Sequence, residues 1–212
     1  MPKNILSLFL FSLAFQHSQA QEPVFTLDLK EVQIEADRKR KHFEIGYLKE
    51  GFLTQYTITS GNLSIEFATL IDFEQYSGYY LRGVKTRIAL DSLPVNLILR
   101  LYSVNKDGYP GEMIYEKEQK FNKKPFSNTL EWIVDKTIVY PDSGLFVSVF
   151  LPAHSFKFNG LIGKGIRCTT KIDEPLSFVK LKDRWQPHSR AFQLGEDQEF
   201  VNGKFSLVLE KP

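Results

Sequence analysis

The residues of this sequence that are able to do chemistry are few and widely spaced. After the first twenty residues the histidines are His42, His154 and His188, and the one cysteine is Cys168. None of them pairs with another at the two-to-five-residue separations that zinc sites use. Asn105-Lys106-Asp107-Gly108 resembles the opening of a calcium loop, in which alternating oxygen ligands precede a glycine. The third ligand and the closing glutamate are missing, so a hairpin turn is the better reading. Glu196, Asp197 and Glu199 could add ligands but fit an acidic surface loop equally well. Cys168 with His154 or His188 is the only thiol-imidazole option, and a lone thiol in a strand-rich chain is normally a small buried hydrophobe. Gly163-Lys164-Gly165-Ile166-Arg167-Cys168 fails the glycine fingerprint of phosphate loops at its last position. Glu66, Asp72 and Glu74 are the closest set of carboxylates, and they read as the wet side of a strand and the loop after it. No metal or other cofactor is therefore expected.

Two surface features remain. Arg38-Lys39-Arg40-Lys41-His42 is basic, as a phosphate or an anionic surface would require, but a solvated turn explains it as well. Tyr76, Tyr79 and Tyr80 crowd a loop around Gly78, and Trp185 stands in the polar stretch Lys182 to His188. Ring faces stack on the C–H groups of sugars while polar neighbours bond the hydroxyls, and loops on a rigid scaffold commonly carry such sites. Tyr76, Tyr79, Tyr80 and Trp185 are accordingly the candidate ligand-binding residues, against the plainer reading of aromatic caps on a core.

The elements that must position these groups are strands. Aromatic residues make up 14% of the chain, with Phe 18 and Tyr 9, and these side chains favour pleated, half-buried surfaces. Apolar and polar residues alternate at Leu63-Ile65-Phe67, Val84-Thr86-Ile88-Leu90, Leu97-Leu99-Leu101, Leu130-Trp132-Val134 and Phe205-Leu207-Leu209, so each has one dry face. Leu145 to Leu151 is nearly all apolar and reads as a strand covered on both sides. Turn chemistry stands between them at Ser92-Leu93-Pro94, Asn105 to Gly111 and Pro141 to Gly144, with a hairpin signal at Asn202-Gly203. The expectation is an all-β antiparallel sandwich of two sheets, jelly-roll-like, spanning residues 43–212 as a single domain. Cys168 is the one cysteine, so no disulfide can form within the chain and packing alone must hold the fold.

The start of the chain reads as an address. Lys3, the apolar run Ile5 to Phe15 and the small residues Ser18-Gln19-Ala20 have the layout of a secretory signal peptide, with cleavage expected between Ala20 and Gln21. The run is about half the length that spans a bilayer, so no transmembrane segment is expected after processing. Residues 21–42 form a lead-in strand, Val24 to Ala36, and the basic turn. The strand is either an arm that docks on a neighbouring sheet edge or the first strand of the sandwich. Formal net charge is only +2 with the leader included, which gives no electrostatic case for nucleic acid.

Leu29 to Lys41, LKEVQIEADRKRK, resembles the strand and basic tail that follow the carboxypeptidase-like regulatory domain of exported bacterial outer-membrane proteins, including TonB-dependent receptors. Leu97 to Met113 and Trp132 to Leu151 resemble a β-sandwich domain at the end of non-receptor proteins of that group. The resemblance implies an envelope or secreted location and a sandwich fold, with no residue-level chemistry to transfer. The leader runs almost directly into LKEVQIEA without the regulatory domain, and no barrel follows, so transport is not carried over. The expected function is that of a non-catalytic exported module, in the periplasm, on the outer-membrane surface or in the medium. Its partner would be an envelope protein or a glycan. The alternatives are a polysaccharide hydrolase with an unrecognised carboxylate pair, or an assembly protein that adds residues 24–36 to a partner's sheet.

Overall fold

The structure, a computed structural model, describes residues 41–49, 56–59, 64–89, 95–122, 129–153, 165–188 and 200–212. All belong to one of the chain's two compact units, Lys41–Pro212; the other is Met1–Arg40. The leader, its cleavage point and the arm Val24 to Ala36 lie outside the described residues, as do Ser92-Leu93-Pro94, His154 and the acidic stretch Glu196 to Glu199.

Two antiparallel sheets form a sandwich, as the alternation requires. One holds β1 (His42–Gly46), β2 (Tyr56–Thr59), β4 (Tyr80–Ala89), β7 (Thr129–Val139), β9 (Gly165–Thr169), β12 (Asn202–Gly203) and β13 (Phe205–Glu210). Its path runs β1-β13-β4-β9-β12, with β2 on β9 and β7 on β4. The other, in the order β11-β10-β3-β8-β5-β6, holds β3 (Ile65–Ile71), β5 (Val95–Val104), β6 (Pro110–Phe121), β8 (Leu145–Leu151), β10 (Ser177–Leu181) and β11 (Arg184–Pro187). The chain crosses repeatedly from sheet to sheet, in the manner of a jelly roll.

Between the sheets lies the core predicted by period-2 patterning. Val84, Ile88, Leu97, Leu99, Leu101, Leu130, Trp132, Phe205, Leu207 and Leu209 are all buried. Cys168 is packed in the same cluster, a small core hydrophobe as expected. β8 is covered on both faces at Phe146 and Ser148, which are fully buried like Leu145, Val147 and Val149.

Four local expectations need correction. Asn202-Gly203 is not a hairpin turn but the short strand β12, paired with Thr169 and Cys168. The Asn202 side chain is spent on the loop before β10, accepting from Leu176 N and donating to Glu174 O. Tyr80 is not in a loop; it opens β4. Trp185 stands in β11, the second strand of a hairpin whose two-residue turn is Lys182-Asp183, both at positive φ. Such turns favour Asn-Gly, and Lys-Asp gives no comparable signal. Glu66, assigned to a wet strand face, is only 3% exposed.

Candidate functional site

Glu66 explains its own burial. It lies on the β3 face turned away from the main core, beside Ala68 and across from Ser148, Phe150, Arg100 and Tyr102 on β8 and β5. Its Oε1 accepts from Tyr102 Oη at 2.7 Å and Ser148 Oγ at 2.6 Å, and its Oε2 accepts from Arg100 Nη1 at 2.8 Å. Arg100 also reaches Glu116 on β6 through Nε at 2.7 Å and lies over the Phe150 ring. A second apolar cluster of Ala68, Tyr102, Phe146 and Phe178, with Trp185 and Tyr109 against it, closes over this network. Burial, and then the Glu66 carboxyl, push the Tyr102 hydroxyl far above its ordinary range, so it remains a donor.

Trp185 meets Tyr102 edge to face at 5.4 Å, with Lys180 over its ring. Their strands are separated by β10, β3 and β8, about 19 Å on a flat sheet. Two side chains do not reach across that span, so the sheet curls, and its concave outer face is filled by its own aromatics. Trp185, partly buried, thus packs over a second core on the outer face of the six-stranded sheet.

Tyr76 and Tyr79 have a different setting. After β3 the chain passes through Asp72 and Phe73 into a single 3-10 turn, Glu74–Tyr76, before entering β4. Fully buried Tyr140 fixes this loop: its hydroxyl donates to Ile71 O at 2.8 Å and accepts from Phe73 N at 2.9 Å. Its backbone bonds Tyr79 O and Gly78 N, and Ser77 Oγ donates to Asp142. Burial pushes the Tyr140 hydroxyl up to about 12, so it too stays a neutral donor.

The pinned loop faces the end of β1. Gly46 at φ +117° turns the chain there, and a Cβ on it would lie 2.6 Å from Phe205 O, so only glycine fits. The turn lets Tyr47 N donate to Phe205 O at 2.7 Å and brings the Tyr47 ring to 5.8 Å from Phe73. Phe43, three residues before Gly46 on β1, packs against Tyr76 at 5.7 Å and Tyr79 at 5.5 Å, and those tyrosines meet edge to face.

An open groove of about 400 Å³ results, lined by Glu44, Tyr47, Phe73, Gln75, Tyr76 and Lys171 among others. Its aromatic members are partly buried side chains on a rigid base. Burial, with the carboxylates of Glu174 and Asp72 nearby, pushes the Tyr47 hydroxyl up to about 12. Burial works against the charge of Glu44, but bonds from Lys85 at 2.9 Å and Ser206 at 3.2 Å outweigh it and hold the carboxyl below its usual range. The groove therefore gathers a carboxylate paired with Lys85, an amide, an ammonium and the neutral Tyr47 phenol around aromatic side chains, which suits binding of a polyhydroxylated ligand.

Of the sequence-predicted residues, Tyr76 and Tyr79 meet in this cluster. Tyr80 lies in β4 beneath Arg82, and Trp185 is on the other sheet's outer face. Tyr47, Phe73 and Phe43 went unread because β1 pairs with β13, joining His42 to Glu210 across almost the whole domain. Asp72 and Glu74 are exposed in the loop, apart from buried Glu66. Asn105 Oδ1 accepts from Asp107 N and Tyr109 N, closing the β5–β6 turn. His42 is exposed on β1, while His188 is buried against the Phe67 ring. Among the described residues no group of three His, Cys, Asp or Glu side chains is placed to hold a metal. None of their helices is long and apolar enough to cross a membrane.

Fold and groove together define a β-sandwich with an aromatic-floored surface cleft. No protein-family model matches the sequence, and no curated protein does. Similar solved structures include two of a clostridial protein. The cysteine protease and lectin-like domains of Cwp84, a surface layer associated protein of Clostridium difficile, match with TM-score 0.54 and 14% identity over 81% of this chain and 36% of that one. The clostridial cysteine protease Cwp84 after propeptide cleavage matches with TM-score 0.52 and 14% identity, over 83% and 41%. This chain thus spans well under half the length of either. At that identity the likeness is one of fold.

Proposed function

We propose that the chain is a non-catalytic recognition module of the bacterial envelope that binds a surface glycan in the groove between β1 and the β3–β4 loop. One observation carries this reading: Tyr47, Phe73 and Tyr76 share one open groove with Glu44, Gln75 and Lys171, on a base fixed by Tyr140 and Gly46. The fold likeness to a surface layer associated protein with lectin-like domains supports it, as does the expected export signal.

The hydrolase alternative needs two carboxylates free to act on one bond. Glu66 and Glu116 share Arg100, but Glu66 is buried with both oxygens engaged, and Glu44 is bound by Lys85 and Ser206. These are the bonds of anchors. The test is an array of bacterial and plant polysaccharides probed with the wild-type chain, Tyr76→Ala and Trp185→Ala. Signal lost in Tyr76→Ala and kept in Trp185→Ala supports the reading. No signal from the wild type, or equal signal from all three, overturns it.

A further inference from the structure

On one side of the sandwich two long sheet edges stand together. Among the described residues β6, of twelve residues, pairs only with β5, and β7, of eleven, pairs only with β4. Each is about twice the usual strand length, and an open edge offers its backbone N–H and C=O groups to any extended strand that reaches it. A second copy of this chain brings the same edge. Two β7 strands paired antiparallel about a two-fold axis would merge two seven-stranded sheets and cover Ile133, which is 70% exposed on that strand.

Both edges carry a lysine where packing has no use for one. Lys117 pairs with the core residue Leu99, two positions after Tyr115, which pairs with Leu101, so it belongs to the core-facing side of β6. Lys136 stands between the core residues Val134 and Ile138 of β7. Each reaches the opposite edge. Lys117 Nζ donates to Ile133 O at 2.9 Å and to Asp135 Oδ2 at 2.7 Å, and Lys136 Nζ donates to Ile114 O at 3.4 Å. Tyr115 Oη holds the other oxygen of Asp135 at 2.8 Å.

These bonds fall where the ladders are already irregular. Ile114 is the extra residue between the pairs Leu101↔Tyr115 and Tyr102↔Met113. On β7 the four residues Val134 to Thr137 stand against the single Arg82, between the pairs Gly83↔Ile133 and Leu81↔Ile138. Bulges and inward-pointing charges both spoil an edge for an incoming strand, and a lysine on a carbonyl occupies an acceptor that strand would need. Folding stability does not explain the arrangement, for with Lys117 28% and Asp135 65% exposed the ion pair contributes little to it.

We infer that Lys117, Asp135 and Lys136 form a latch that closes the β6–β7 side against strand pairing with a second copy of this chain. The latch keeps the chain monomeric rather than folded. It is independent of the proposed glycan groove, so a chain that binds no sugar still carries it.

Sedimentation velocity of the whole chain over a wide range of concentration tests the inference on the wild type and on the triple variant Lys117→Thr, Asp135→Thr, Lys136→Thr. The wild type should stay monomeric. The triple variant should dimerise at least about tenfold more tightly, and adding Ile133→Lys should return it to monomer, because a charge on the edge strand blocks pairing. A cooperative urea transition of unchanged slope shows that the associating species is folded. If the triple variant loses that transition, Lys117→Gln alone, which uncaps Ile133 O, is expected to associate in its place. A folded triple variant that stays monomeric overturns the inference, as does a monomeric Lys117→Gln where that single variant carries the test. Association that survives Ile133→Lys overturns it too, and so does a wild type that dimerises and is made monomeric by Ile133→Lys.

Discussion

Replacing Arg100 by methionine tests whether the Glu66 network supports the curled sheet. The variant keeps much of the apolar stem over Phe150 but leaves Glu66, at 3% exposure, with only the Tyr102 and Ser148 hydroxyls as partners. Removing one partner of a buried ion pair costs roughly 3–5 kcal/mol. The Arg100 side chain is 22% exposed, so water reaches part of the site and the lower figure, about 3 kcal/mol, applies. For a domain of this size that is a fall in melting temperature of about 6–12 °C. Glu66→Gln should cost less, about 1–2 kcal/mol, because its amide oxygen still accepts from both hydroxyls and Arg100 keeps Glu116. The double variant Glu66→Leu with Arg100→Met should be far milder than the sum of its singles, since it removes both charges from a site already walled by Phe146, Phe150 and Tyr102. Urea unfolding followed by tryptophan fluorescence reads these three and the Glu66→Leu single that completes the cycle. An Arg100→Met cost below about 0.5 kcal/mol, or full additivity in the double variant, would refute the assignment of Glu66 as a buried, partner-dependent charge.

His188, buried and held down to about 4 from an ordinary 6.5, binds its proton more readily in the unfolded chain. Its contribution is therefore intact above pH 6.5 and is lost as pH falls toward 4, by up to about 3 kcal/mol; His188→Leu should flatten that part of a urea-midpoint profile against pH. Gly46→Ala forces a side chain onto Phe205 O at a left-handed position and should cost about 2 kcal/mol or more in urea unfolding while abolishing any groove ligand. Replacing Lys182-Asp183 by Asn-Gly relieves positive φ at both turn residues and should raise stability by about 0.5–1 kcal/mol, read as a higher urea midpoint at constant slope.

The sandwich was legible because its two faces differ. Wherever one face of a strand meets water, as at Lys85 and Arg87 opposite Val84 and Ile88, alternation marks the core correctly. The same rule misplaced Glu66, because the six-stranded sheet curls and buries part of its second face as well. No local pattern announces that a carboxylate will be met by Arg100 and Ser148 from strands 34 and 82 residues away. At the groove, Tyr76 and Tyr79 could be read from their crowding. Tyr47 and Phe73 could not, since the fold alone brings the end of β1 to the loop after β3. Trp185 stood in a polar sequence that turned out to be a strand capping aromatics. The lone cysteine and the Asn105 turn needed no long-range pairing, and their simplest readings match the structure.

The most direct test of the glycan-binding proposal is a proton–nitrogen NMR titration of the isotope-labelled chain with the polysaccharide that gives the strongest array signal. The account predicts saturable shifts concentrated at Gly46, Tyr47, Gln75, Tyr76 and Lys171, absent in Tyr76→Ala, with the amides of β11 unmoved. Shifts centred on Trp185 and Lys180 with the groove silent would contradict it.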